Sequence, residues 1–132
     1  MSTNQPSTFL RNALLVDAAA SGATGLLMIA GAGLLEGLLG LPAALLRGAG
    51  FVLVPYVAFV VWAGTREHIQ GGAVWAIIIA NAAWAIASVF LLIGTLTPTL
   101  LGYAFVIGQA LAVALLGEAQ YVGLKRQTVA AA

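Results

Sequence analysis

Residues 12–35 read NALLVDAAASGATGLLMIAGAGLL, and this stretch decides the class of fold. The eighteen residues from Ala18 to Leu35 carry no charge. A helix of that length completes a crossing of a hydrocarbon layer roughly 30 Å thick, since each residue adds about 1.5 Å. At the same rise per residue, Asp17 lies about 10 Å along the helix from Leu10. The sequence therefore predicts a membrane-spanning helix with one carboxyl group inside the apolar layer.

The chain has 132 residues, of which 62% are hydrophobic and 7% are charged. Such a short chain has too little polar surface to cover so many apolar side chains in water. A formal net charge of +1 leaves no basic surface for nucleic acid. The absence of cysteine excludes disulfides and thiol chemistry, and one histidine is too few for a His-rich metal site. We expect an integral membrane protein in contact with the lipid bilayer, with no nucleic-acid partner, no cofactor and no metal.

Three further apolar segments follow the first, and glycine, proline or a polar loop separates each from the next. The predicted fold class is all-α: a polytopic membrane protein with a four-transmembrane-helix up-down bundle over residues 10–126. The predicted spans are about 10–35, 42–65, 73–94 and 98–124. A flexible polar N-terminal tail is expected over residues 1–9, and a C-terminal tail over residues 127–132.

Basic residues are distributed unevenly between the two ends of the predicted spans. With four spans, four of the five basic residues collect on the side that holds both termini, and Arg47 alone lies on the other. Cytoplasmic loops carry an excess of Lys and Arg, so both termini are predicted to be cytoplasmic. Trp62 and Trp75 flank the polar loop between the second and third spans, as is typical of an aromatic belt. The predicted membrane-interface anchors are Arg11, Trp62, Arg66, Trp75, Lys125 and Arg126.

Polar side chains recur at one depth in the predicted bundle. Counted from the cytoplasmic ends of their helices, Asp17, Tyr56 and Asn81 all lie roughly 10 to 14 Å inward, and so does Glu118. Ionisable residues within a membrane commonly mark ion or substrate sites. One hypothesis is therefore a small pocket open to the cytoplasm, in which Asp17 binds a proton or a cation. The candidate ligand- or proton-binding residues are Asp17, Ser21, Tyr56, Asn81, Trp84 and Glu118.

The alternative hypothesis for this polar layer is structural. The same groups would then hydrogen-bond to one another and hold the bundle together, with Asp17 protonated because burial disfavours its charged form. Glu118 also has a second interpretation. It points away from Gln109, since nine positions correspond to about two and a half turns. It can therefore be an interfacial acid near the basic end of the last helix.

Two other features also have structural interpretations. The Trp84 N–H needs a hydrogen-bond acceptor at its depth, and the candidate acceptors are Asn81, one turn back, and Ser21 or Asp17 across the bundle. The GxxxG pattern at 33–37 formally matches a helix-packing motif. Because further glycines surround it at the end of the predicted helix, we interpret it as part of a turn.

Four stretches carry a resemblance to a known group of proteins. They are RNALLVDAAASGATGL in the first helix, LLGLPAALLRGAG at the first turn, NAAWAIAS in the third helix and LTPTLLGYAFVIGQA into the fourth. Together they resemble a family of small bacterial four-helix integral membrane proteins, over nearly the whole span from Arg11 to Arg126. The resemblance implies a four-helix membrane fold and a bacterial inner membrane, and it brings no activity. In length, helix count and an acid in helix one, the chain is also similar to small multidrug resistance transporters, with Asp17 in the place of the essential acid.

These features support three functional hypotheses. No nucleophile elbow, phosphate loop, HExxH helix or cysteine pair is present, so we expect no enzyme. The leading prediction is a non-enzymatic binding or accessory module, forming a homo-oligomer or a subunit of a larger membrane assembly. The first alternative is a proton- or cation-coupled transporter of a small solute that uses Asp17. The second is a lipid- or quinone-binding protein that uses the polar layer and Trp84.

Overall fold

The computed structural model describes residues 8–94 and 96–131, with side chains up to residue 127, and all regular elements in these ranges are α-helices. The five helices are α1 (Thr8–Ala30), α2 (Ala32–Leu39), α3 (Ala43–Gly64), α4 (Gly71–Leu92) and α5 (Leu100–Ala131). Four of them, α1, α3, α4 and the Leu100–Gln127 part of α5, are long and apolar enough to cross a membrane. The predicted all-α class and the predicted number of candidate spans are confirmed.

The first predicted span, 10–35, is divided into α1 and α2. Gly31 separates them, although its N–H still donates to the Leu27 carbonyl at 2.8 Å and its own carbonyl accepts from Leu35 at 2.9 Å. A Cβ at this position would lie 2.8 Å from the Leu27 carbonyl oxygen, so glycine is the residue that fits this interruption of the helix. The 33–37 glycine pattern lies inside α2, not in a turn, and neither glycine has a neighbour within 4 Å of where a Cβ would stand.

The ends of the chain also differ from the expected bounds. α1 begins at Thr8, and the rest of the predicted N-terminal tail, residues 1–7, lies outside the described residues. α5 continues to Ala131 instead of ending near residue 124, and Ala132 lies outside the described residues. Lys, Arg, Gln and Ala are good helix formers, and no glycine or proline follows Gly123 to stop the helix.

The helices form two pairs that meet along one seam. α1 packs along α3, and α4 packs along α5. α1 also packs against α5, whereas α3 and α4 scarcely touch. The order around the bundle is therefore α3, α1, α5, α4, with a cleft between α3 and α4. The short α2 closes one end of the bundle against α3 and α5, where the Thr99 N–H donates to the Leu39 carbonyl at 3.0 Å.

Glycines allow the closest approach of the helices. At the crossing of α1 and α3, a Cβ on Gly50 would stand 2.9 Å from the Gly25 carbonyl oxygen and 2.7 Å from Ile29 Cγ1. At the crossing of α1 and α5, a Cβ on Gly123 would stand 2.8 Å from Leu10 Cα. Small residues at such crossings bring backbones together in membrane bundles, where lipid provides no hydrophobic drive for helices to associate.

Apolar side chains cover the outside of the bundle, and polar side chains lie within it. Leu26, Ile93 and Leu100 are 71%, 72% and 87% exposed, which is the expected arrangement when lipid surrounds the helices. Inside, one apolar cluster lies at the end that holds Leu10 and another at the end that holds Leu41. The buried polar residues are Asp17, Asn81, Ser88 and Gln120.

Candidate functional site

Asp17 on α1 is the centre of a buried hydrogen-bond cluster, and its exposed fraction is 0%. Ser21, one turn further along α1, donates to Asp17 Oδ1 at 2.9 Å. The Tyr56 hydroxyl of α3 lies 2.6 Å from Asp17 Oδ2. Asn81 Nδ2 of α4 lies 3.1 Å from the same oxygen, and Gln120 Nε2 of α5 lies 2.7 Å from it. One carboxyl group thus connects all four long helices.

The partners of Asp17 also contact one another. The Tyr56 hydroxyl lies 2.9 Å from Asn81 Oδ1. Asn81 Nδ2 donates to Gln120 Oε1 at 2.9 Å. A buried polar group is costly unless it is hydrogen-bonded, and every group here except Ser21, which bonds to Asp17 within α1, has a partner on another helix. We call Asp17, Ser21, Tyr56, Asn81 and Gln120 the carboxyl cluster.

A second polar group lies between α4 and α5, further from the chain termini. Trp84 Nε1 donates to Gln109 Oε1 at 2.7 Å, and Gln109 Nε2 donates to Ser88 Oγ at 2.8 Å. The acceptor of the Trp84 N–H is therefore Gln109, and none of the three candidates, Asn81, Ser21 and Asp17, accepts this bond. α4 packs along α5 and not along α1, so the nearest long acceptor at this level is on α5.

The structure brings together four of the six candidate residues. Asp17, Ser21, Tyr56 and Asn81 are in direct contact, and Trp84 lies one turn from Asn81 with its own partner. Glu118 does not join them, because it is exposed on the outer side of α5. Glu118 lies at the same level along the bundle as the carboxyl cluster, but its side chain lies on the opposite side of α5 from the cluster.

Sequence reasoning missed Gln120 as a member of the cluster. Its side chain is fully buried and bonds to both Asp17 and Asn81. The available signal was the shared face of Gln109 and Gln120 on an otherwise apolar helix. An amide on such a face must find a polar partner in the bundle, and both glutamines do.

Two neighbouring cavities lie beside the cluster. The cleft between α3 and α4 has a volume of about 360 Å³, and its walls include Val52, Tyr56, Asn81 and Ala83. A second cavity of about 140 Å³ lies between α1, α3, α4 and α5 and extends toward the end of the bundle that holds Leu41. Ser21, Leu53, Trp84 and Val113 line both cavities. The cleft thus reaches the carboxyl cluster at Tyr56 and Asn81.

The predicted anchor residues lie at the end of the bundle where α1 starts and α3 ends. Arg11 Nη1 donates to the Gly64 carbonyl at 2.6 Å. Three cations stack on aromatic rings: Arg66 on Trp62 at 5.7 Å, Lys125 on Tyr121 at 5.4 Å and Arg126 on Phe9 at 4.7 Å. The Trp75 ring packs against Tyr121 at 5.7 Å. Paired cations and aromatic rings suit the boundary between lipid and water.

The fold and the cluster together define a helical protein with four candidate membrane spans and a buried carboxyl group at its centre. Comparison with family models, with curated proteins and with solved structures gave no match. Within residues 8–94 and 96–131, no group of three or more His, Cys, Asp or Glu side chains is placed to hold a metal ion. A function must therefore be argued from the carboxyl cluster and the cleft.

Proposed function

We propose that this chain is a non-enzymatic membrane protein that binds the hydrocarbon chain of a lipid in the cleft between α3 and α4. The observation that carries the proposal is the separation of these two helices, which leaves about 360 Å³ between them. Pockets that bind small molecules commonly have volumes of about 300 to 1,000 Å³. A gap between helices inside a bilayer is filled most simply by the chains that surround it.

The chemistry of the cleft walls favours a hydrocarbon occupant over a polar one. The polar side chains at the cleft, Ser21, Tyr56, Asn81 and Trp84, are all hydrogen-bonded within the protein. They therefore offer few groups to a polar ligand, which would lose its own hydrogen bonds to water on entry. The rest of the wall consists of alanine, valine and leucine side chains.

The cleft is accessible from the lipid-facing surface. Val52 on α3, and Ala83 and Ala87 on α4, line the cleft and are also exposed. Within a span, an exposed side chain faces lipid, so an acyl or isoprenoid chain can enter sideways without crossing the aqueous phase. The head group of the lipid would remain at the membrane surface.

Replacing Ala83 with phenylalanine should reduce lipid binding. The ring would occupy the mouth of the cleft, and we expect bound lipid to fall about tenfold, equivalent to about 1.4 kcal/mol of binding free energy. Native mass spectrometry of protein released from mild detergent measures the bound fraction. The added mass distinguishes a phospholipid from a quinone and also reports the number of copies in the particle.

Ala82→Phe is the matched control for this experiment. Ala82 is the neighbouring alanine on α4, is exposed, and lines neither cavity. The control should retain the lipid of the unmodified chain. Equal lipid content in the two variants, or no bound lipid in the unmodified chain, would contradict the proposal.

We propose a bacterial inner membrane as the location, with both termini in the cytoplasm. The support is the unequal number of basic residues at the two ends of the bundle and the stacked cations at the end that has more of them. In this orientation the loop that holds Glu67 is cytoplasmic, and α2 with Glu36 lies at the periplasmic surface.

Single cysteines can test this orientation, because the natural chain has none. Glu36 and Glu67 are both exposed and lie at opposite ends of the bundle. In bacterial spheroplasts, a membrane-impermeant maleimide should label Glu36→Cys at once and Glu67→Cys only after lysis. The reverse pattern would place the termini outside the cytoplasm.

A further inference from the structure

We infer that the outer face of α5 around Glu118 is an interaction surface for a transmembrane helix of another protein, which presents a lysine or arginine to the Glu118 carboxyl group. Glu118 is exposed and lies within the candidate span Leu100–Gln127. Ionisable side chains within a membrane usually pair with one another or lie in the interior of a bundle. The inference goes beyond lipid binding and does not depend on what fills the cleft.

Glu118 lies well inside the bundle along the axis of α5. Two residues later, Gln120 Nε2 lies 2.7 Å from Asp17 Oδ2 in the carboxyl cluster. At about 1.5 Å per residue, Glu118 is about 3 Å from the level of Gln120 and about 10 Å from the level of Lys125. Side chains on a helix lean toward its N-terminus, so Glu118 leans away from the end of the bundle that holds Lys125. Its short side chain is therefore directed along the apolar part of the surface.

Apolar side chains surround Glu118 on the outside of α5. Leu111, Leu115 and Val122 lie seven and three positions before it and four positions after it, and such positions share one face of a helix. They are 61%, 65% and 38% exposed. Glu118 is thus a single acid within an apolar face. Protein interfaces commonly have this arrangement, in which neighbours of a central strong contact exclude solvent from it.

The described part of the chain supplies no partner to the Glu118 carboxyl group. Within residues 8–94 and 96–127, Glu118 forms no hydrogen bond or ion pair. Lys125 lies two turns further along the same face, but its Nζ lies over the Tyr121 ring, 5.4 Å from the ring centre. A carboxyl group without a partner in lipid is costly, and a helix that brought one would be stabilised in contact with α5.

A second copy of this chain would not bring a basic residue to Glu118. Four of the five basic residues lie at the end of the bundle where α1 starts, and Arg47 lies at the opposite end. In a copy packed side by side in the same orientation, these residues stay at the two ends. The partner is therefore a different protein, with a basic residue inside its apolar span.

The hydrogen bonds of Asp17 indicate why the partner residue is basic. Asp17 is bonded to the four other members of the carboxyl cluster, which come from four helices. A single helix packed on α5 presents only one or two side chains at the level of Glu118. A lysine ammonium has three N–H donors and an arginine guanidinium has five, and charge-assisted hydrogen bonds are about twice as strong as neutral ones. One basic side chain can thus satisfy a carboxyl group that would otherwise need several neutral donors.

A synthetic helix of defined sequence serves as the partner in the test. A leucine–alanine peptide of about 20 residues spans a bilayer. One lysine is placed seven positions from its end, which is the separation of Glu118 from Lys125, and a second peptide has leucine at that position. Energy transfer from a dye on the peptide to a dye on Glu67→Cys measures association in vesicles, since the natural chain has no cysteine. The lysine peptide should bind roughly tenfold more tightly than the leucine peptide.

Glu118→Gln should lower the affinity for the lysine peptide about tenfold, to that for the leucine peptide. Glu36→Gln is the matched control, because Glu36 is also an exposed acid but lies in α2, outside the candidate spans. It should bind the lysine peptide as the unmodified chain does. Since both residues are exposed, neither variant should lower the unfolding temperature. Equal affinity of the unmodified chain for the two peptides, or unchanged affinity in Glu118→Gln, would overturn the inference.

Two other partners of Glu118 would give different results. If Lys125 of the same chain already pairs with Glu118, the lysine peptide should bind only to Lys125→Gln. If a second copy is the partner, energy transfer between two labelled copies should fall in Glu118→Gln, while the lysine peptide binds to neither form. Either result would overturn the inference of a basic helix from another protein.

Discussion

Replacing Asp17 with leucine should lower the free energy of unfolding of the bundle by roughly 3 kcal/mol. The leucine side chain is apolar and leaves four polar partners, of which Asn81 and Gln120 are buried, without their central acceptor. A hydrogen bond between membrane helices is worth about 0.6 kcal/mol on average, and an unsatisfied buried group costs about 1 to 3 kcal/mol. The usual gain from placing leucine in lipid does not apply, since this position faces other helices.

The measurement is thermal unfolding in mild detergent, followed by the loss of helical circular dichroism. Ala19→Leu is the control, because Ala19 is close to Asp17 on the same helix and is exposed. It should unfold at the temperature of the unmodified chain. If Asp17→Leu proved equally stable, the carboxyl cluster would not be what holds the helices in place.

A comparable loss is expected for Gly50→Leu, again roughly 3 kcal/mol, because it overpacks the crossing of α1 and α3. The first atom of the new side chain would meet the Gly25 carbonyl oxygen at 2.9 Å, and that oxygen is backbone and cannot turn away. The two helices would have to separate, which would also move Tyr56 away from Asp17. Thermal unfolding, followed as for Asp17→Leu, should therefore occur at a lower temperature than in the unmodified chain.

Gly48→Leu provides a control for this change on the same helix. No atom lies within 4 Å of the position that a Cβ on Gly48 would take. The substitution should leave the unfolding temperature unchanged or raise it slightly, since leucine is the better helix former. If both variants were equally destabilised, the loss would come from replacing glycine anywhere in α3. The close approach of α1 at Gly50 would then not be its cause.

The sequence was sufficient to predict four candidate spans and the common level of Asp17, Tyr56 and Asn81 along the bundle. Charge-free length identifies a span, and a fixed rise per residue converts position into depth. For this reason Asp17, Tyr56 and Asn81 could be placed in one layer before any contact was known. The functional hypotheses of an accessory subunit and of a proton-coupled transporter remain predictions, since depth alone tests neither.

The direction of a side chain around its helix could not be predicted in the same way. Glu118 has the right depth but points outward, while Gln120, two residues later, fills the cluster. Trp84 bonds to Gln109 because α4 lies beside α5. Which helices are neighbours in a bundle cannot be predicted from the positions of their residues along the sequence. The interruption at Gly31 could not be predicted either, because the run of apolar residues continues through it.

The division into two helix pairs has a consequence for how the protein is made. The first pair, α1 with α3, carries Asp17, Ser21 and Tyr56, so it would enter the membrane with its carboxyl only partly bonded. Asn81 and Gln120 arrive later, on α4 and α5, and supply the two missing amide donors. A displacement of α4 or α5 by one helical turn would place these amides opposite apolar side chains. The hydrogen bonds of the carboxyl group are complete only when the two helix pairs meet in the register that the structure shows.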